Sequence, residues 1–197
     1  MRLIRHPWIW FMRFRQRKGY GVHSPFAYSF IRGVVLETSP YYAYSDLQRL
    51  HPWWVRWGGL YPMACRRLLF RLANFAEPQT MRLLTVDKVA AEYIRAAVPR
   101  AEVLDAKAMG SAGKAQSRGA DFVFVGKERL KEAQAVAAEM PERGMLVCEG
   151  IHDNKEAFCT WRAIQEDGHT GITFDLYTYG VAFFNHKLHK QHYKVNF

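Results

Sequence analysis

From residue 77 to the C-terminus, short apolar runs alternate with longer segments in which apolar residues recur every third or fourth position. Short apolar runs bounded by polar residues predict β-strands, and the longer periodic segments predict amphipathic helices. The pattern places strands at 81–86, 101–104, 121–125 and 144–148, and helices at 88–98, 128–140 and 153–165. Strands that alternate with helices in this way indicate a mostly parallel sheet covered on both faces.

The C-terminal part of the chain follows a different pattern. Residues 171–185 predict a hairpin centred on Tyr179 and Gly180, and residues 193–197 predict a final strand. Residues 1–76 instead predict short helices, with a helix start at Ser24-Pro25 and a longer helix at 62–75. The sequence therefore divides into a helical N-terminal part, 1–76, and an α/β domain, 77–197.

Charge and aromatic residues follow nearly the same division. Residues 1–72 hold 12 Lys and Arg against Glu37 and Asp46, a balance of +10, whereas residues 73–197 hold 16 basic and 16 acidic residues. Of the 29 Phe, Trp and Tyr residues, 16 also fall in the first 72 positions. Such a basic aromatic half suits binding to nucleic acid or to an anionic membrane surface. The alternative is that its aromatic residues pack on the α/β domain while its arginines stay solvated.

The junction between the first predicted strand and its helix has no glycine. In nucleotide-binding α/β domains this loop is glycine-rich, because the backbone must approach the ligand closely at the helix N-terminus. Here Asp87 lies where the loop would open. Only 15 residues separate Asp105 from Asp121, which is too few for two further helices and a strand. We therefore expect a trimmed sheet.

Candidate catalytic groups follow the strand at 144–148. Glu149, His152 and Asp153 lie just beyond the end of that strand, where ligands bind in open α/β sheets. A histidine there can act as a general base, and the carboxylates can orient it or hold a metal ion. The alternative is that Asp153 caps the next helix while His152 faces solvent. His186, His189 and His192 recur at every third position, but the segment leads into a strand, so we predict no metal site.

Three stretches of the sequence match a known pattern. They are Gly21-Val-His-Ser-Pro-Phe26; Leu146-Val-Cys-Glu-Gly-Ile-His-Asp-Asn-Lys-Glu156, followed by Trp161; and Ile172-Thr-Phe-Asp-Leu-Tyr-Thr-Tyr-Gly-Val-Ala-Phe-Phe184, which closes with His192-Tyr-Lys-Val195. Together they resemble a Bacteroidetes family of class I S-adenosylmethionine-dependent methyltransferase-like proteins. The resemblance implies a Rossmann-like three-layer α/β sandwich of seven strands, with an antiparallel C-terminal strand and a helical N-terminal extension.

The resemblance also implies where S-adenosylmethionine would bind. Relatives hold its methionine part in the glycine-rich loop, which has no counterpart around Asp87, and its ribose on an acidic residue at the end of the second strand, which here is Asp105. Where relatives have an acidic residue after the third strand of this chain, the sequence has Gly126. Where they have paired aspartates, it has Glu149-Gly150. The cofactor-binding region is therefore degenerate.

The cysteines indicate the compartment. Cys65, Cys148 and Cys159 are odd in number and lack CxxC spacing, and the last two are predicted to be buried thiols. We expect a cytoplasmic protein without a signal peptide or a membrane span. Two functions remain open: a methyltransferase acting on an unknown small-molecule or protein acceptor, and a non-catalytic module that binds nucleic acid, anionic lipid or a protein partner.

The charge division yields a testable prediction. Random-sequence DNA or RNA, or liposomes of acidic lipid, should bind weakly, with an affinity that falls steeply as salt rises, because phosphate contacts release counterions. Electrophoretic mobility shifts and liposome pelleting at low and physiological salt measure this. If neither polyanion binds at low salt, the basic half is a solvated face or a docking surface for another kind of partner.

Overall fold

The chain folds around one mixed β-sheet. The structure, a computed structural model, describes residues 24–52, 60–104, 120–185, 187 and 189–195. Seven strands form the sheet: β1 (Thr80–Leu84), β2 (Glu102–Leu104), β3 (Phe122–Val125), β4 (Met145–Glu149), β5 (Ile172–Asp175), β6 (Tyr179–Phe183) and β7 (Gln191–Lys194). Their order across the sheet is β2-β1-β3-β4-β6-β5-β7.

The first four strands are parallel, as the alternating pattern predicts. Strand β1 pairs with both β2 and β3, and β3 pairs with β4, all in parallel register. Strand β6 runs antiparallel to β4 and β5, and β7 pairs parallel with β5 at the outer edge. The antiparallel strand is therefore β6, and the expectation that it is the C-terminal strand is wrong. The predicted hairpin exists, but its turn lies at 176–178, and Gly180 is inside β6.

Six α-helices are described. They are α1 (Pro25–Phe30), α2 (Tyr44–Leu47), α3 (Leu60–Ala76), α4 (Lys88–Ala97), α5 (Ala133–Glu139) and α6 (Lys155–Glu166). A π-helical turn, Ile31–Val35, extends α1, and a 3₁₀ turn, Lys127–Glu132, precedes α5. Ser24 caps α1 through a bond from the Ala27 N–H, as the Ser-Pro start predicts. Asn154, and not Asp153, caps α6.

Helices cover both faces of the sheet, which gives the expected Rossmann-like three-layer α/β sandwich. Helices α1, α3 and α4 lie on one face, and α5 and α6 lie on the other. Strands β3 and β4 are buried along their whole length because both of their faces are covered. Among the described helices, none is both long and apolar enough to cross a membrane.

The N-terminal helices belong to the core of the α/β domain. Phe30 of α1 lies 4.4 Å from Phe174 of β5 and 5.2 Å from Phe183 of β6, measured between ring centroids. Leu69 and Leu72 of α3 are fully buried in the same cluster. A domain boundary at residue 76 stays a prediction, but residues on both sides of it share one hydrophobic core.

Buried arginine is part of this packing. Arg71 of α3 is only 6% exposed, and its guanidinium donates to the carbonyl oxygens of Val34 (2.7 Å) and Val35 (3.1 Å). Those carbonyls lie at the end of the π-helical turn, where the helix itself offers them no partner. These bonds connect α3 to the π-helical turn, so Arg71 is not part of a solvated basic face.

The opposite face has its own core around Trp161 of α6. Its indole is fully buried and rests against Gly180 of β6, where the missing side chain makes room for the ring. Cys148, on β4, is buried as predicted, and burial raises the pKa of its thiol. Cys159 of α6 is exposed, so its predicted burial is wrong, because it lies on the solvent side of that helix.

The contact between Trp161 and Gly180 predicts a stability difference between two glycines. A Cβ at Gly180 would lie 2.7 Å from the indole, whereas a Cβ at Gly33 meets no atom within 4 Å. Gly180→Ala should lower the free energy of unfolding by about 1–3 kcal/mol, the usual cost of overpacking a core. Gly33→Ala, the matched control, should leave it unchanged or raise it slightly. Urea denaturation measures both, and equal effects would contradict this view of the core.

Candidate functional site

The ligand-binding edge of such a sheet is formed by the carboxyl ends of its parallel strands. Ligands bind there at the point where the strand order reverses. In this chain that point lies between β1 and β3, because β1 connects to β2 on one side while β3 lies on the other. The segments that follow β1, β3 and β4 therefore form the candidate site.

Asp87 occupies the N-terminus of α4 itself. Its Oδ1 accepts from the Ala90 N–H at 2.9 Å and caps the helix, and its own N–H donates to Thr85 Oγ1 at 3.0 Å. A helix N-terminus attracts anions through its free N–H groups. Here the chain supplies the anion, so Asp87 stands where a ligand's negative group would otherwise bind.

Arg66 of α3 reaches into the same edge and joins three elements. Its guanidinium donates to Asp87 Oδ2 (2.5 Å), Glu149 Oε1 (3.0 Å) and the Tyr179 hydroxyl (2.9 Å). The side chains of Arg66 and Glu149 are 16% and 10% exposed, and Tyr179 is fully buried. We call these four residues the Arg66 cluster.

The surroundings of the Arg66 guanidinium keep it positively charged. Burial alone lowers the pKa of Arg66, but the oxygens of Tyr179, Glu149 and Asp87 outweigh it and raise the pKa above its ordinary value. Burial raises the pKa of Tyr179, which therefore stays a neutral phenol. A partly buried guanidinium with three oxygen acceptors has its charge satisfied inside the chain.

A hydrogen bond also joins the segments that follow β1 and β3, on the two sides of the point where the strand order reverses. Glu128, which follows β3, accepts from the Val86 N–H at 2.5 Å, and Val86 follows β1. Gly126 lies beneath this hydrogen bond: a Cβ there would be 2.6 Å from Thr85 Oγ1 and 2.7 Å from Glu128 Oε1. A side chain at 126 would therefore displace the Glu128 carboxylate or the Thr85 hydroxyl.

At the ends of β1 and β3, the described groups that would meet S-adenosylmethionine already have partners inside the chain. The carboxylate of Asp87 faces inward to α4 and Arg66, the glycine-rich loop is missing, and Glu128 bridges the strand ends. Asp105, the predicted ribose contact, lies outside the described residues, so its role stays a prediction. Asp87 is thus placed at the predicted cofactor edge, but with both carboxylate oxygens engaged.

The three predicted catalytic residues have different surroundings. Glu149 belongs to the Arg66 cluster. His152 donates from Nε2 to Asp175 Oδ2 at 2.8 Å, and Asp153 is an exposed residue beside the groove described next. The structure therefore gives His152 a carboxylate partner that the sequence did not indicate, at the end of β5. A joint catalytic role for Glu149, His152 and Asp153 stays a prediction.

A shallow groove of about 330 Å³ lies on the α5–α6 side of this edge. Half of its ten lining residues are charged, and they carry both signs: Lys127, Glu128, Lys131, Asp153 and Glu156. Lys131 is paired with Glu156 across the groove at 3.1 Å. Within the described part of the chain, no three His, Cys, Asp or Glu side chains are grouped as a metal ion would require.

Sequence reasoning missed Arg66 and also His51. The His51 ring is 8% exposed and shares a hydrogen bond with the Tyr93 hydroxyl of α4, and burial followed by nearby Arg66 lowers its pKa. A signal for Arg66 was present: it lies three, four and seven positions before Leu69, Phe70 and Ala73, which are all fully buried. A helix places these residues on one face, so the arginine belongs to the apolar stripe.

Solved structures that are similar to this chain include a methyltransferase. The chain is similar to the crystal structure of the SAH-bound Podospora anserina methyltransferase PaMTH1, with 10% sequence identity and a TM-score of 0.44. The match covers 82% of this chain and 96% of that one. No family model and no curated protein matches the sequence.

The Arg66 cluster predicts a large loss of stability when its cation is removed. Arg66→Met leaves Glu149 and Asp87 without their partner and should lower the free energy of unfolding by about 3 kcal/mol. Adding Glu149→Gln should recover part of this loss, since the two residues are coupled.

The matched control is Arg49→Met. Arg49 pairs with Asp46 at 3.6 Å, but both side chains are more than three-quarters exposed. Such a surface pair contributes little, so the control should change stability by less than about 1 kcal/mol. Denaturant titrations compare the variants, and similar losses at positions 49 and 66 would refute the role given to the cluster.

Proposed function

We propose that this chain is a non-catalytic relative of class I methyltransferases that has kept their sheet and works as a binding module. The Arg66 cluster is the observation that carries the proposal. An edge that binds S-adenosylmethionine must offer open backbone and unpaired acceptors. Here the Arg66 guanidinium donates hydrogen bonds to Asp87 Oδ2, Glu149 Oε1 and the Tyr179 hydroxyl at the same time.

Displacing Arg66 would be costly. Its helix, α3, is a core element whose Leu68, Leu69, Leu72 and Ala73 are all fully buried. Withdrawing the guanidinium without a substitute cation would leave Glu149, whose side chain is 10% exposed, and Asp87, whose side chain is 32% exposed, without their ion-pair partner. This supports a permanently closed edge over a lid that opens for a cofactor.

The proposed binding function rests on the basic, aromatic N-terminal part. The partner would be a polyanion, which is consistent with the +10 balance of residues 1–72. Two of the arginines in this balance, Arg66 and Arg71, have partners inside the fold, so the remaining ones would have to supply the attraction. We place this activity in the cytoplasm, which suits free thiols at positions 65, 148 and 159.

The proposal predicts no measurable binding of the cofactor. Calorimetric titration of the folded chain with S-adenosylmethionine and with S-adenosylhomocysteine should give no saturable heat at micromolar concentrations. The melting temperature should also stay constant, because a ligand that binds only the native state raises it. The same two measurements on a methyltransferase that binds the cofactor show that the ligands are active.

Micromolar binding would refute the closed edge and favour the enzyme. In that case Asp105→Ala should weaken the affinity by roughly 1.5–3 kcal/mol, because a ribose hydroxyl would lose a bond to a charged group. Binding that is indifferent to Asp105→Ala would place the ligand elsewhere on the molecule.

A further inference from the structure

A second constellation lies apart from the Arg66 cluster, around His152. The imidazole Nε2 is 2.8 Å from Asp175 Oδ2, and the Asp175 side chain is 3% exposed. The other oxygen, Oδ1, accepts from the Tyr177 N–H at 2.9 Å. Both oxygens of a buried carboxylate are thus used to fix one imidazole and one turn of backbone.

Tyr177 is held in a conformation that large residues avoid. Its φ is +70°, in the left-handed region that favours glycine. Strain of this kind persists where the surroundings enforce it, and it is concentrated at functional positions. The result here is a parallel stack: the Tyr177 ring lies 5.1 Å from the His152 ring at an angle of 10°.

Phe158 of α6 completes the surroundings of the imidazole. Its ring centroid is 5.2 Å from that of His152, and the residue is 39% exposed, so part of an apolar ring remains open to solvent beside the histidine. The His152 side chain itself is 20% exposed. An accessible aromatic surface therefore adjoins an imidazole that is fixed in place.

The partner of Nε2 decides what the other nitrogen can do. A carboxylate only accepts, so the proton of the neutral ring lies on Nε2, and Nδ1 carries a lone pair. The bond to Asp175 is the only hydrogen bond that this ring makes to a described residue. His152 thus offers an acceptor atom whose orientation is set before any ligand arrives.

We propose that His152, oriented by Asp175 and Tyr177, binds small phenols. The phenol O–H donates to Nδ1, and its ring packs on the exposed part of Phe158. A neutral hydroxyl suits this site, because the acceptor is the lone pair of a neutral ring nitrogen. This site does not rest on the proposed function, because its argument uses none of the residues of the Arg66 cluster.

Imidazole nitrogen NMR tests the proposal directly. Long-range ¹H–¹⁵N spectra of the ¹⁵N-labelled chain, recorded at mildly alkaline pH where an ordinary imidazole is neutral, should show His152 protonated on Nε2. Titration with phenol should then shift its Nδ1 resonance saturably, whereas toluene, which lacks the hydroxyl, should not. His169, whose Nε2 is 2.7 Å from the Met140 carbonyl oxygen, is the reference ring and should not respond.

Two variants separate this site from a merely structural arrangement. Tyr177→Gly suits the positive φ and should fold at least as stably, yet it removes the stacked ring and should weaken phenol binding roughly tenfold. Phe158→Ala should do the same by removing the apolar surface. A ring protonated on Nδ1, an equal response to toluene, the absence of a phenol shift, or unchanged affinity in Tyr177→Gly would each overturn the proposal.

Discussion

A guanidinium that is largely removed from solvent needs hydrogen-bond acceptors, and in this protein that need organises the carboxyl edge of the parallel strands. Arg66 enters from α3 and satisfies its charge on the loop after β1, the end of β4 and the start of β6. Because one planar group bonds to all three, their relative positions are fixed together. The closure of the edge follows from this: the acceptors that would face a ligand already face an arginine of the same chain.

The same helix joins the described N-terminal helices to the core of the sheet. Helix α3 lies beside α4 on one face of the sheet, and its apolar stripe is buried with that of the strands. Arg71, one turn beyond Arg66, binds the carbonyls of Val34 and Val35. Charge counted along the sequence therefore overstates the charge presented to solvent, since some of it is neutralised or bonded inside.

Most of the fold could be predicted because its signals are local. The apolar run at 122–125 is buried on both faces, and most strands and helices begin and end within about two residues of the predicted positions. The exceptions are α5, which begins at Ala133 after a 3₁₀ turn and not at 128, and the final strand, which spans Gln191–Lys194 and not 193–197. The errors arose where a tertiary contact overrides a local preference. Gly180 suggested a turn, but it serves as the surface on which Trp161 packs. Asp153 and Asn154 are both good caps, and the structure uses the second.

The site was harder to predict, because its partners are distant in sequence. Asp87 and Glu149 could be singled out from their places after strands, but their common partner lies 21 and 83 positions away. The pairing of His152 with Asp175 likewise spans 23 positions and depends on the order of β4, β6 and β5 in the sheet. Position along a strand predicts which edge a residue occupies, but not which residue it will contact there.

The two glycines at the closed edge limit how this sequence can change. A side chain at 126 meets Thr85 and Glu128, and one at 150 would have to adopt a φ of +78° while lying 2.9 Å from Lys127 Cβ. At 150 the backbone conformation itself opposes any side chain, whereas at 126 the atoms that a Cβ would meet are the ends of two side chains, which can move. Because native stability is marginal, selection should keep glycine more strictly at 150 than at 126.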